Sequence, residues 1–249
     1  IAAIAQIWRH PIKGVGAERL ERVTLSPGPT LPFDRHWAIA QEGAAFDEAA
    51  PGWVPCRNFI RGAKAGSLMA VTARMDGPTL TLRHPELPEL TANPDDPADA
   101  ARIVDWVRPI YPENRPAPER IVAAPGRGMT DSDFPSVAIL SLSTLTALSQ
   151  KVGQTLDPRR FRGNLWVEGT APWEEFDWVG RTLRVGTSLL KVEERITRCR
   201  ATEANPVTGR RDAATLDALA DGWGHEDFGV YATVIEGGEI AVSAEVTLL

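Results

Sequence analysis

Apolar positions along this chain recur in short alternating runs, bounded by turn residues, more often than in long helical stripes. Residues 2–9 alternate weakly and end in Arg9-His10-Pro11, which predicts a first strand. Leu20, Val23 and Leu25 mark a second, stopped by Ser26-Pro27-Gly28-Pro29. Residues 33–40 mark a third, entered through the charged Asp34-Arg35 step. Hairpins are predicted for 68–74 with 79–83 around Asp76-Gly77, for 182–185 with 188–193 around Gly186-Thr187, and for 228–236 with 239–248 around Gly237-Gly238. Residues 137–140 and 164–168 are further strands. In the latter, Leu165 and Val167 face one side and Asn164, Trp166 and Glu168 the other. Helical spacing predicts a helix over 98–107 after Pro97, and another over 141–150. In the second, Leu142, Leu145, Leu148 and the following Val152 share a face, and Gly153 suits the C-terminal cap. A third helix is predicted over 213–220, capped by Asp212.

Composition supports a β-rich reading, because 20 prolines and 21 glycines keep the regular elements short. A length of 249 residues accommodates one long or two short domains. The segment 109–118 carries four prolines, so we divide the chain near residue 115, into 1–115 and 116–249. A net charge of −6 argues against a broad nucleic-acid or anionic-membrane surface. No apolar run has the length of a membrane span, and the first residues lack the basic region of a secretory signal. With two cysteines, Cys56 and Cys199, a disulfide framework is not expected, and reduced thiols fit a cytoplasmic setting.

Candidate chemistry concentrates in residues 196–212. Cys199 lies between Arg198 and Arg200, with Arg195, Arg210 and Arg211 close in sequence and Asn205-Pro206 and Thr208-Gly209 forming a tight turn. Nearby guanidinium charge lowers a thiol's pKa and favours the thiolate, the form that attacks or ligates. The alternative is a cysteine acting as a small buried hydrophobe. Cys56, in a proline-rich loop, reads as structural or incidental. Lys13 lies beside Gly14 and Gly16, where it either is a solvated turn lysine or reaches a phosphate. Arg35 either pairs with Asp34 or points its fork at an anion. Arg159, Arg160 and Arg162 beside Asn164, and the hydroxyl-rich first turn at Ser141, are open to the same two readings. No Walker loop, Rossmann fingerprint, HExxH zinc motif, GxSxG elbow or iron–sulfur cysteine set is present. A Cys199–His225 nucleophile–base pair and a Lys13 Schiff base with pyridoxal phosphate stay open.

Seven stretches taken together resemble a known family. They are IWRHPIKG (7–14), FDRHWAI (33–39), VAILSLSTLTAL (137–148), DPRRFRGNLWVEG (157–169), WVGRTLRVG (178–186), RITRCRATEANPVTG (195–209) and FGVYATVIEGGEIAV (228–242). In that order they resemble MOSC-domain proteins, named for the molybdenum-cofactor sulfurase C-terminal region. The chain is similar to the two-part type with an N-terminal MOSC β-barrel, as in amidoxime-reducing components. The resemblance implies an α+β, mainly β fold: a β-barrel-like N-terminal domain over 1–115, a MOSC β-barrel domain over 116–249, and a few short helices. It implies a molybdopterin-type molybdenum cofactor with Cys199 as the metal's ligand, a soft thiolate suiting a sulfur-rich coordination sphere. It places cofactor contacts on Lys13, Arg35, Ser141, Thr144, Arg162, Asn164, Arg198 and Thr202, and a catalytic position at Asn205, where some relatives carry aspartate. The implied activity is reduction of N-hydroxylated or N-oxygenated small molecules, with electrons from a separate flavin or iron–sulfur reductase. A different class is also implied, a carrier of the cofactor or of persulfide sulfur on Cys199. A cysteine hydrolase using His225 is the third reading.

Overall fold

Short β-branched and apolar runs between turns give a mainly β fold, with α-helices at three places among the described residues. The computed structural model describes residues 1–124 and 126–249. In chain order its elements are β1 (Ala3–Arg9), β2 (Glu18–Leu20), β3 (Arg22–Leu25), β4 (Trp37–Gln41), β5 (Thr72–Asp76), β6 (Thr79–His84), β7 (Leu87–Ala92), α1 (Pro97–Val107), β8 (Pro118–Ala123), β9 (Val137–Ser141), α2 (Leu142–Val152), β10 (Leu165–Glu168), β11 (Thr182–Val185), β12 (Ser188–Thr197), α3 (Thr215–Trp223), β13 (Asp227–Glu236), β14 (Gly238–Ala241) and β15 (Val246–Leu248).

The main sheet has eight strands in the order β15-β11-β12-β13-β9-β10-β1-β2. It curls back on itself: the Ile4 N–H donates to the Ala244 carbonyl, and the Ser243 N–H donates to the Ile4 carbonyl. Ile4, Ile7, Val137, Ile139, Leu190 and Val192 fill one side of the curl. Its other face carries Leu140, Trp166 and Phe228, packed against Leu145 and Leu148 of α2 and Leu219 of α3. The first half of the chain builds a second core from Ile12, Trp37, Ile60, Leu68, Leu80 and Ile103, around the β5-β6-β7 sheet, the β4–β8 pair and α1. Each such side chain, taken wholly out of water, stabilises the fold by about 1.5–3 kcal/mol.

The helix ends follow their sequence signals. Asp96 accepts from the Ala98 and Asp99 N–H groups with Pro97 in the first turn of α1. Ser141 accepts from the Ser143 and Thr144 N–H groups at the start of α2, and Gly153, with φ 84°, closes it.

Several expectations differ from the structure. The strand expected from Phe33 begins at Trp37, because Arg35 takes a positive φ of 50° and Asp34-Arg35 belongs to the preceding turn. Residues 68–70 are a 3-10 turn, so the first hairpin begins at Thr72. In β10, Leu165 and Val167 pack on one side and Trp166 on the other, and all three are buried, because α2, α3 and Phe228 cover the second face too. Asp212 does not cap α3. The cap position is Ala214, with no side-chain cap, while Asp212 pairs with Arg160 at 2.6 Å. The expected closing hairpin does not form. β13 is interior, paired with β12 and β9, and has no free edge for β14, which pairs with β3 while β15 pairs with β11. β7 and β8 were not anticipated. The division near residue 115 lies between α1 and β8, yet β8 pairs back onto β4, and β1 of the first half lies inside the main sheet. No helix among the described residues is long and apolar enough to cross a membrane.

Candidate functional site

β12 delivers the chain at Thr197 into the arginine-rich stretch. The Arg198 Nε and Nη2 donate to the Phe228 carbonyl at 2.7 and 2.5 Å, and Nη1 donates to the Phe161 carbonyl at 2.9 Å. That fork ties the end of β12 to β13 and to the turn before β10. On the far side of Cys199, the buried Thr202 hydroxyl donates to the Cys199 carbonyl at 3.1 Å and shares a 2.6 Å hydrogen bond with Thr215. The Cys199 backbone is thus held from both sides, and its side chain opens onto a cleft of about 540 Å³.

The opposite wall comes from the first half of the chain. Lys13 is 3% exposed. Its ammonium donates to the Met129 carbonyl at 2.8 Å and to Asp131 Oδ1 at 2.6 Å. Arg35 pairs with the buried Asp34 and donates to the Arg162 carbonyl at 2.8 Å, while Arg162 donates to the Gly16 and Ile12 carbonyls at 3.0 and 3.3 Å. Two guanidinium groups therefore clasp the turn over 10–16 against the turn before β10. Both residues adopt positive φ, 50° and 48°, a conformation that costs of order 1–2 kcal/mol for a side-chain-bearing residue and is held here by these bonds. The rim is completed by Arg61, which donates to the Cys56 sulfur, and by the loop after Cys199. That loop docks through Arg211 onto the Ala63 carbonyl at 2.9 Å and through Gly209 onto Ser67.

Cations dominate the lining. Lys13, Arg35, Arg61 and Lys64 come from the first half, and Arg160, Arg162, Arg198 and Arg200 from the second, against two carboxylates, Asp131 and Glu226. Burial, with Arg35 close by, lowers Arg162 to about 9. Burial lowers Arg198 to about 10 and lowers Lys13 against the pull of Asp131. The surrounding protein opposes ionisation of Asp131, but Lys13, with Arg35 and Arg162, outweighs that and holds the carboxyl at about 2. Tyr231, on the same wall, is pushed up to about 12 by burial and by Asp131. The thiol expectation is corrected. Although Cys199 is reached from the cleft, desolvation by the walls around it raises its pKa, and Arg198 and Arg61 offset that only in part.

Of the residues singled out in the sequence, Cys199, Lys13, Arg35, Arg162, Arg198 and Thr202 converge on this cleft. Ser141, Thr144, Asn164 and Asn205 are not among its lining residues. Ser141 caps α2 and bonds Thr170, and Thr144 donates to the buried Glu175 at 2.8 Å. Asn164 accepts from the Ala138 N–H and donates to the Trp8 carbonyl, stitching β9 to β1. Asn205 donates to Asp212 and accepts from the Val207 and Thr208 N–H groups, which shapes its turn. His225 is not a lining residue either; its Nδ1 accepts from the Asp227 N–H and its ring packs on Trp173 and Phe176. Cys56, read from the sequence as structural or incidental, also lines the cleft; both cysteines are free thiols. Asp131 and Arg61 carried no sequence signal, since their partners lie far away along the chain.

The donor set suits an anionic group that brings most of its own metal ligands. No three of His, Cys, Asp and Glu converge among the described residues in a way that could hold a metal ion. The soft Cys199 thiol faces a cation-lined space that Cys56 also borders, and the Nε groups of Arg61 and Arg160 on its walls are buried without a hydrogen-bond partner.

Residues 129–247 match the family model of the MOSC domain, and residues 1–108 match that of the MOSC N-terminal beta barrel domain. A molybdenum cofactor sulfurase from Anopheles gambiae is 40% identical over 76 residues, 30% of this chain and 10% of that protein. The chain therefore spans about a tenth of the length of that curated relative. Among solved structures, the YuaD protein from Bacillus subtilis is 12% identical with a TM-score of 0.48, covering 100% of this chain and 96% of that one. YiiM from Escherichia coli is 17% identical with a TM-score of 0.35, covering 45% and 53% respectively.

Proposed function

The chain belongs to the MOSC-domain family, and on that premise we propose that the cleft binds a molybdopterin-type molybdenum cofactor with Cys199 as a ligand of the metal. We propose further that the loaded protein reduces N-hydroxylated or N-oxygenated small molecules. The observation that carries this reading is the Cys199 thiol opening onto a cleft lined by eight lysines and arginines against two carboxylates, in a chain of net charge −6. When bound, the cofactor supplies the metal-centred two-electron chemistry. The chain's own residues hold and orient it. Lys13, Arg35 and Arg162 neutralise its anionic groups from one wall, Arg198 and Thr202 fix the backbone that presents the thiol, and the thiolate of Cys199 ligates the metal. Metal binding by Cys199 releases the thiol proton, whose raised pKa makes loading favoured at higher pH. Electrons come from a separate flavin or iron–sulfur reductase in a reducing, cytoplasmic setting. The test is turnover of an N-hydroxylated amidine by metal-loaded chain with an artificial reductant. Turnover in the wild type and its loss in Cys199→Ala is the expected result, and full activity in that variant sinks the mechanism.

The similarity to a molybdenum cofactor sulfurase favours a second reading, a carrier that delivers the cofactor or sulfane sulfur from Cys199. Bound cofactor without turnover, or sulfane sulfur on Cys199, is its signature.

A further inference from the structure

The two carboxylates of the cleft are placed differently. Glu226 is exposed at the rim, whereas Asp131 stands directly on a buried cation: its Oδ1 lies 2.6 Å from the Lys13 ammonium. The Lys13 side chain is 4% exposed and that of Asp131 is 60% exposed. An anion approaching Lys13 through the cleft therefore meets the Asp131 carboxylate first. We infer that Asp131 is a built-in counter-anion, which neutralises Lys13 and must be displaced from it by an incoming ligand of the phosphate class. It selects for ligands whose charge exceeds its own.

Three features support this over a purely structural role. Lys13 keeps a second acceptor, the Met129 carbonyl at 2.8 Å, so its position does not depend on Asp131. The backbone on either side of Asp131 is fixed. Trp53 Nε1 donates to the Thr130 carbonyl, the Thr130 hydroxyl donates to the Ser132 and Phe134 carbonyls, and the Ser132 hydroxyl bonds Ser136. Thr130 and Ser132 are 2% and 7% exposed, so release of Lys13 needs only rotation of the Asp131 side chain. Lastly, Arg35, Arg162 and Arg198 all feel the Asp131 charge, which makes it a common counter-ion to the cation ring.

The inference rests on the proposed reading only in taking the ligand to be anionic, and inorganic pyrophosphate serves as the probe. It is titrated calorimetrically into the full chain at fixed ionic strength, for wild type, Asp131→Asn, Asp131→Ser and Glu226→Gln, with folding checked by circular dichroism. Asparagine keeps the shape of the side chain and removes its charge; serine also removes the charge and covers the case in which the amide does not fold. Both Asp131 variants should bind pyrophosphate at least about tenfold more tightly, and Glu226→Gln less than about threefold, because only Asp131 competes directly for a ligand's cation. Unchanged or weaker binding in the Asp131 variants, or an equal gain in Glu226→Gln, overturns the counter-anion and leaves the anion-binding cleft standing. No binding by any of the four proteins overturns the anion-binding cleft itself and the counter-anion with it.

Discussion

At the scale of single residues, the cleft is built by side chains whose charge is set by their neighbours. The clearest titrating group lies away from the cleft. Glu175 is fully buried, accepts from Thr144 at 2.8 Å, and is raised from 4.5 to about 7 by burial. Between those two values the folded chain keeps a proton that the unfolded chain has released, so stability falls as pH rises through that window. Glu175→Gln removes the titration while keeping an acceptor for Thr144. Thermal unfolding from pH 5 to 8 should show the variant gaining on wild type as pH rises, by on the order of 1–3 kcal/mol at pH 8. Parallel curves for the two proteins contradict this. Legibility at this scale was uneven for a physical reason. Cys199, Lys13, Arg35 and Arg162 stood out because a thiol among arginines, a lysine among glycines and clustered guanidinium groups are unusual locally. Asp131, Cys56 and Arg61 gain their meaning only from partners brought in by tertiary structure. Ser141, Thr144, Asn164 and Asn205 carry polar groups that suit an anion equally well, but the backbone claims them first for caps, strand stitching and a turn.

The elements show how the cleft is closed. The loop after Cys199 rests on the 3-10 turn at Gly66–Ala70, and Gly209 permits the contact, with φ 70°. A Cβ at that position would lie 2.5 Å from the Ser67 Cα. Gly209→Ala should therefore cost about 2–4 kcal/mol in urea unfolding, from strain and displacement together. It should also loosen the cleft, read as faster proteolysis of the 205–211 loop. A loss under about 0.5 kcal/mol, the scale of an unremarkable surface change, contradicts the close packing. The Asp212 pairing is a second support. Removing its carboxylate leaves the 3% exposed Arg160 with only the Glu203 carbonyl, at 3.0 Å. Because Asp212 itself is partly exposed, Asp212→Ala should destabilise by about 1–3 kcal/mol, less than for a wholly buried pair. Unfolding curves superimposable on wild type contradict that role. Local pattern located most strands and two helices well, since alternation and capping signals lie within a few residues. It failed for β14 because Gly237-Gly238 reads as a hairpin turn whatever the occupancy of the neighbouring edge, and β13 has both edges filled.

For the whole molecule, the two family segments are interleaved. β1 pairs with β10 and β2 in the main sheet, β3 pairs with β14, and Arg162 clasps the turn after β1. A chain begun at residue 116 lacks β1, and the two ends of the curl lose the backbone bonds between Ile4 and residues 243–244. Expressed alone, 116–249 should show no cooperative thermal transition, and co-expressed with 1–115 it should recover one. A cooperative transition in the isolated fragment contradicts the interleaving. The mainly β, two-part architecture was legible through turn density and family motifs. The interleaving was not, because strand pairing across more than a hundred residues leaves no local trace.

The central claim is that Cys199 holds a molybdenum cofactor in a cation-lined cleft, and metal content tests it most directly. The full chain and Cys199→Ala are produced side by side in a host that makes the cofactor, and molybdenum is measured by elemental analysis after identical purification. The account predicts near-stoichiometric molybdenum in the wild type and its loss in the variant, with the variant's circular dichroism unchanged. Equal molybdenum in both proteins, or none in the wild type, contradicts it.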